Sequence, residues 1–256
     1  MKIALAQTHI IWENKKLNID KAKNIISTQV TAGVDAIFFP EMSFTGFSMN
    51  TSVTRESDDQ TINEIRDIAQ EFHTTIGFGW VKDCGQTCEN HYTVLNCDGE
   101  TISDYAKIHP FSYSGEDKYF RGGNKLSIFT IGDVPFTSFI CYDLRFPELF
   151  RKAALKIHAI IIPANWPAQR SEHWKILLRA RAIENQAYIF AINCFGYMHG
   201  QYYSGGSCVI NPNGTVLETL SDEEGIITFD FNDDVLKYRS AFPVFQDIRW
   251  NVYNNL

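Results

Sequence analysis

Two hydrophobic periods alternate along this chain. Residues 3–8 (IALAQT) and 36–39 (AIFF) are short apolar runs that predict buried strands. Between them Ala22, Ile25, Ile26 and Val30 fall on one helical face, and Gly33 is placed to end that helix. Ile62, Ile65, Ala69 and Phe72 repeat in the same way and predict a second helix over residues 58–72. TTIGFGWV and HYTVLNC read as strands, and Asp98-Gly99 turns the second of them into ETISDYAK, a hairpin signal. Residues 126–131 and 136–140 predict another strand pair, joined at Gly132-Asp133. HAIIIPAN is continuously apolar, as in a strand covered on both faces. A helix over 171–185 follows, with Trp174, Leu177, Leu178 and Ala182 on one side. AYIFAIN, GSCVINPNGTVLETL and GIITFDF supply the last strands, with Asn213-Gly214 as a second hairpin turn. Strands and helices interleave to the end without a linker, so the expectation is a single α/β domain over 1–256, helices covering mixed sheets.

Composition narrows the class. At 256 residues and 45% hydrophobic, the chain can build a large core without staples. A net charge of −7 with no basic run argues against nucleic acid or an acidic membrane surface as partner; the densest basic group, RKAALK, reads as a helix face. No run approaches the ~18 apolar residues of a membrane span. The opening MKIALAQTHIIWENKK is interrupted by Gln7 and His9 and has no small-residue cleavage site, so a cytoplasmic protein is expected. Six cysteines are too sparse for a disulfide framework. Cys84 and Cys88 form a C-x-x-x-C in a polar loop without a second pair or a histidine to complete a metal site.

Three segments place reactive side chains where a strand ends. FTSFI leads to Cys141, after which Pro147 and Glu148 open a helix. Cys141 is either a small core residue or a thiol presented on a tight strand-to-helix turn, where backbone N–H groups can face an oxyanion. Lys107, in SDYAKIHPF, is either solvated or a partly buried ammonium. Glu41 follows a buried strand beside Met42, Phe44 and Phe47; a carboxylate in apolar company drifts toward the pKa of a general base, the alternative being an edge glutamate in water.

Taken together, FPEMSFTGF, YAKIHPF and ICYDLRFPELFR resemble the three motifs of the nitrilase (carbon–nitrogen hydrolase) superfamily, in its order and spacing, and the likeness runs from KIALAQ to FPVFQD. The resemblance implies a four-layer αββα sandwich, commonly a homodimer or higher homo-oligomer built across a helical face. It implies Cys141 as nucleophile, Glu41 as general base and Lys107 as electrostatic stabiliser, with Glu116 of SYSGEDKYF orienting the others. The oxyanion would be held by Lys107 and the backbone N–H of Tyr142, and no metal or organic cofactor is needed. A histidine base from His109 or His173 is the rival arrangement, although the local signatures of papain-like and caspase-like enzymes are missing around Cys141.

NWPAQRSEHWKILLRARAIENQAY (165–188), with CYDLRFPE and FPVFQD, is similar to the omega-amidase branch of that superfamily. Its members hydrolyse the terminal amide of short dicarboxylic monoamides such as 2-oxoglutaramate and 2-oxosuccinamate. A free carboxylate on the substrate calls for a cation, and Arg170 is the candidate, the alternative being a surface charge at a helix start. Trp166 and Phe47 would wall the pocket. The chain departs from the branch at Cys194, where an arginine is expected, and at Gly206, where an acidic residue is expected, which puts the exact amide in doubt. An N-carbamoyl amino-acid amidohydrolase or another short-chain amidase is the enzymatic alternative. A true nitrilase usually has Trp-Glu after its cysteine rather than Tyr-Asp. A non-catalytic binding protein has no need for all four of Glu41, Lys107, Glu116 and Cys141.

Overall fold

In the computed structural model, which describes residues 1–253, β1 (Lys2–Gln7) is buried at every position after its first. α1 (Lys15–Thr31) returns the chain so that β2 (Ala36–Phe38) lies parallel to β1, the crossover that a parallel pair requires. Asn14 caps α1 by accepting the Leu17 N–H, and Gly33 at φ +80° follows its end, donating to Val30 O. A single turn α2 (Thr51–Thr54), the short β3 (Arg55–Glu56) and α3 (Gln60–Phe72) lead to β4 (Thr75–Asp83), parallel to β2. Hairpins add β5 (Cys88–Leu95) and β6 (Thr101–Ala106), the second turning at Gly99 with φ +79°.

The second sheet begins with the hairpin of β7 (Ile128–Ile131) and β8 (Val134–Ser138). α4 (Pro147–Ala153) crosses to β9 (Ala159–Ala164), α5 (Ser171–Asn185) crosses to β10 (Tyr188–Asn193), and β8, β9 and β10 run parallel. β11 (Phe195–Met198), β12 (Gln201–Ile210) and β13 (Val216–Ser221) complete it before β14 (Gly225–Asp230) returns to pair antiparallel with β1. α6 (Val235–Ala241) and α7 (Trp250–Tyr253) follow. The sheet orders are β14-β1-β2-β4-β5-β6 with β3 beside β4, and β11-β12-β10-β9-β8-β7 with β13 beside β12.

Side-chain alternation explains the layers. Ile3 and Leu5 of β1 join Phe38, Tyr92 and Tyr105 in a cluster that continues into Phe136, Ile160 and Phe190 of the second sheet. Ala4 and Ala6 face the other way, onto Ala22 and Ile26 of α1 and Ile62 and Ile65 of α3. Phe150 of α4 and Trp174, Leu178 and Ala182 of α5 cover the outer face of the second sheet. The result is an αββα sandwich, and β9 and β10 are wholly buried because both their faces are covered.

Two local expectations change. β8 stops at Ser138 rather than continuing to residue 140, because the chain must leave the sheet to make the turn at Cys141. Cys88 is not in a polar loop: it is the buried first residue of β5, packed with Met42, Val81 and Phe120.

Candidate active site

Open α/β sheets collect ligands at the carboxyl ends of their strands. Here Glu41 follows β2, Cys141 follows β8, Asn165 follows β9 and Lys107 follows β6. The turn after β2 lies so close to β4 that a Cβ at Gly79 would sit 2.3 Å from the Met42 nitrogen, so only glycine fits there. Ser43 and Gly79 lock the two segments together, Ser43 N–H to Gly79 O at 3.0 Å and Gly79 N–H to Ser43 Oγ at 2.8 Å.

Glu41 is 0% exposed. Its Oε1 accepts from Lys107 Nζ and from Asn90 Nδ2, each at 2.8 Å, and its Oε2 accepts from the Asn165 N–H at 2.9 Å. Its own carbonyl accepts from Asn165 Nδ2 at 2.6 Å. The apolar setting expected for this carboxylate is therefore corrected to a polar one. Met42 turns away to Val81, Cys88 and Phe120, with Phe47 at the edge of that cluster, because the +42° φ at Met42 sends consecutive side chains in different directions.

Lys107 and Glu116 are equally enclosed, at 1% and 0% exposure. Lys107 Nζ reaches Glu116 Oε2 at 2.9 Å and lies 5.1 Å from the centre of the Phe47 ring. Burial opposes the ammonium charge, but Glu116 and then Glu41 outweigh it and hold Lys107 well above the usual lysine range. Burial raises the Glu116 carboxyl, Lys107 opposes that, and Glu41 adds to it. Glu116 sits in the loop after β6, in the one-turn helix Glu116–Lys118, and also accepts from the Phe111 N–H.

Cys141 occupies a left-handed conformation, φ +45°, at the start of the 3-10 turn Cys141–Arg145. Such a conformation costs a non-glycine residue on the order of 1 kcal/mol and has to be held by its surroundings. Asp143 does much of the holding: its buried carboxylate accepts from Ile140 N–H at 3.1 Å, His109 N–H at 3.0 Å and Tyr105 Oη at 2.8 Å. Arg181 of α5 grips the Leu144 carbonyl from the other side, Nη2 at 2.8 Å. Burial pushes the Cys141 thiol well above its ordinary range; Glu41 adds to the rise and Lys107 opposes it. The rival histidines are engaged elsewhere. His109 Nδ1 lies 2.8 Å from Asp143 and its ring stacks on Phe146, while His173 Nδ1 lies 3.3 Å from Arg145 Nη2.

A cavity of about 560 Å³ opens over these groups, lined by Cys141, Lys107, Tyr142, Asn165, Trp166 and Phe47 among others. Arg170 lines it too, 5.3 Å from the Phe111 ring centre, and so does Arg145, 4.8 Å from that of Trp166. Among the described residues neither arginine pairs with a carboxylate. Burial, and next the charge of Arg170, depress Arg145 below the ordinary guanidinium range. Trp166 Nε1 donates to the Arg170 carbonyl at 2.7 Å, which ties the wall to the cation beside it.

Cys194 and Gly206 stand behind this surface. Cys194 is fully buried with Ile10, Met198 and Tyr203, of which Met198 and Tyr203 line the cavity. Gly206, at φ +84°, lies in a bulge of β12, and its carbonyl accepts from Trp174 Nε1 at 2.7 Å. Sequence reading missed Arg145, Asn90 and Asn165. Arg145 stands within the quoted CYDLRFPE, and Asn165 opens NWPA, so each had a motif to point to it; Asn90 is one polar residue in a strand buried at every position but Glu89 and carries no signal of its own.

The family profile described as carbon-nitrogen hydrolase matches residues 2–239. The chain is 32% identical to 2-oxoglutaramate amidase of Bacillus subtilis (strain 168), covering 98% of both chains, and 32% identical to omega-amidase YafV of Escherichia coli (strain K12), covering 96% of both. In fold it is similar to XC1258 of Xanthomonas campestris, a CN-hydrolase superfamily protein with an arsenic adduct in its active site, at a TM-score of 0.91, 26% identity and 97% of both chains. An amidase from Nesterenkonia sp. superposes at a TM-score of 0.89 with 25% identity, covering 100% of this chain and 95% of that one. With its sandwich and its whole length matched in this way, the chain belongs to the carbon–nitrogen hydrolase family, the nitrilase superfamily, and within it to the omega-amidase branch.

Proposed function

We propose that this chain hydrolyses the terminal amide of short dicarboxylic monoamides, 2-oxoglutaramate and 2-oxosuccinamate, to the acid and ammonia. The observation that carries the reading is the pairing of a buried Glu41–Lys107–Glu116 cluster beside Cys141 with two arginines on the wall above that have no carboxylate partner among the described residues. In this reading Glu41 takes the Cys141 proton as Sγ attacks the amide carbonyl. The oxyanion that forms is met by Lys107 Nζ and by the N–H of Tyr142, in the first turn of a helical segment, where N–H groups lack helical acceptors. Glu41 passes the proton to the amide nitrogen as the C–N bond breaks, leaving a thioester and ammonia. Water then gives a proton to Glu41 and its oxygen to the acyl group, and the thiol is restored. Glu116 keeps Lys107 charged and in place, and its own charge is what the ammonium offsets when Glu41 is neutral.

The substrate carboxylate would lie between Arg145 and Arg170, with Trp166 and Phe47 as walls. A free α-ammonium would meet two cations there, so glutamine should be a poor substrate compared with the oxo acid amide. Ammonia release from 2-oxoglutaramate, 2-oxosuccinamate, glutamine, N-carbamoyl-alanine and a simple nitrile tests this. Preference for the carbamoyl compound, which also offers a carboxylate, would move the assignment to an N-carbamoyl amino-acid amidohydrolase. Replacing Arg170 or Arg145 with Met should raise KM for 2-oxoglutaramate by roughly 10-fold or more, the loss expected for a charge-assisted contact of about 1.5–3 kcal/mol, and far less for a neutral amide. Equal effects on both amides would remove the carboxylate role.

The same reading extends to the assembly and its setting. Ile176 and Ile183, two turns apart on α5, are exposed, as is Leu155 just after α4, which supports a homodimer formed across this helical face. Light scattering on the purified chain measures it. The six unpaired cysteines are in keeping with a cytoplasmic enzyme.

A further inference from the structure

Asn90 belongs to none of the motifs, yet it touches more of the cluster than any residue outside it. It lies on β5 at 2% exposure. Its Nδ2 donates to Glu41 Oε1 at 2.8 Å and to Glu116 Oε1 at 3.2 Å, and its backbone carbonyl accepts from the Lys107 N–H at 2.8 Å. Its Oδ1 is buried and has no hydrogen-bond partner among the described residues. A buried amide oxygen left without a donor is costly, and such groups in native proteins call for an explanation. The orientation that strands Oδ1 is the one that aims both N–H bonds at the two carboxylates. Two carboxyl groups share one ammonium here, and an amide spanning both oxygens supports whichever of them carries the charge.

We propose that Asn90 is a positioning residue that sets the basicity of Glu41 by sharing one amide group between Glu41 and Glu116. When Glu41 is ionised, the shorter bond goes to it. When Glu41 has taken the thiol proton, the same N–H₂ group is free to strengthen its bond to Glu116, so the proton moves without leaving either carboxylate bare. The inference rests on the assignment of Glu41 as the base.

The titratable groups that face Asn90 are Glu41, Lys107 and Glu116, with Cys141 next to them. Removing the amide donor makes the Glu41 carboxylate harder to form, so its pKa rises. In Asn90→Ala the acid limb of the kcat/KM profile should therefore move to higher pH by about one unit, the size a lost hydrogen bond to a charged group of roughly 1.5 kcal/mol produces. At neutral pH kcat should fall by about 10- to 100-fold, short of the loss of the base itself. Asn90→Asp keeps the shape, loses the donor and adds a carboxylate, and should move the limb further in the same direction. Alkylation of Cys141 by iodoacetamide, followed against pH in the same variants, reads the same coupling without substrate and applies even to a variant that turns over too slowly to assay. Profiles that superpose on the wild type, with activity lowered only in proportion to folded protein, would overturn the proposal. If substrate turnover instead fails the amide panel while the alkylation profile still shifts, the substrate reading falls and the role of Asn90 stands.

Discussion

Replacing Cys141 with Ala should lower ammonia release by roughly 10⁴-fold or more, the scale seen when a nucleophile that works as part of a set is removed. The folded protein should survive the change. Alanine bears the same left-handed strain at φ +45° that cysteine already bears, and Cys141 lines the cavity at the edge of the core, so losing its sulfur opens no closed void. The turn is held by Asp143 and Arg181, which do not depend on the thiol. The melting temperature is therefore expected to stay within about 2–4 °C of the wild type, which for a chain of this size is roughly 1 kcal/mol. Calorimetry and the ammonia assay on one preparation check both halves, and turnover retained by a folded variant would remove the thioester route.

Lys107→Met should be the most damaging single change, because it strikes stability and chemistry together. It leaves Glu41 and Glu116, both 0% exposed, without their cation, and breaking a buried ion pair in this way costs about 3–5 kcal/mol. It also takes away one oxyanion donor, worth on the order of 10²–10³ in rate. The pH dependence gives the physical signature. A buried carboxyl without a cation has a folded pKa above its unfolded value of ~4.3, so the native variant holds a proton that the unfolded chain has released. Its stability is fullest below that pH and falls as pH rises through the folded value. In the wild type burial already raises Glu116, so the same fall exists, but Lys107 opposes it and keeps it smaller; the raised lysine pKa adds a contribution present below its unfolded value and lost as pH rises through the folded one. Adding Glu116→Gln to Lys107→Met should recover much of the stability and none of the rate. Urea unfolding of the single and double variants at two pH values is the measurement, and a double variant no more stable than the single would refute buried charge as the cause.

The sandwich was largely legible from the chain. The alternation in IALAQT sends Ile3 and Leu5 to one face and Ala4 and Ala6 to the other, and the uninterrupted AIII of β9 requires cover on both sides. Turns with Gly99 and Gly214 fell where a positive φ was needed. Less legible were the places where the chain leaves the pattern to serve the site: β8 ending early at Ser138, and the left-handed residues Met42 and Cys141, each just after a strand and next to the cavity floor.

For the site, residue identity and order were enough to nominate Glu41, Lys107, Glu116 and Cys141, because their motifs are local strings. The surroundings of those residues were not local. Glu41 stood beside Met42 and Phe44 in sequence, but in space its neighbours are Lys107, Asn90 and Asn165, from 49 to 124 positions away. Asn90 and Arg145 acquire meaning only when distant strand ends converge. By itself, then, the amino-acid order determined which elements form and which side chains could react, since periodicity and motif are properties of neighbours along the chain. Only the tertiary structure decided that two carboxylates share one ammonium, that the histidines are held away from the thiol, and that two guanidiniums line the cavity with no carboxylate of the described residues paired to them. Those are facts of charge and distance, and charges meet across space rather than along the chain.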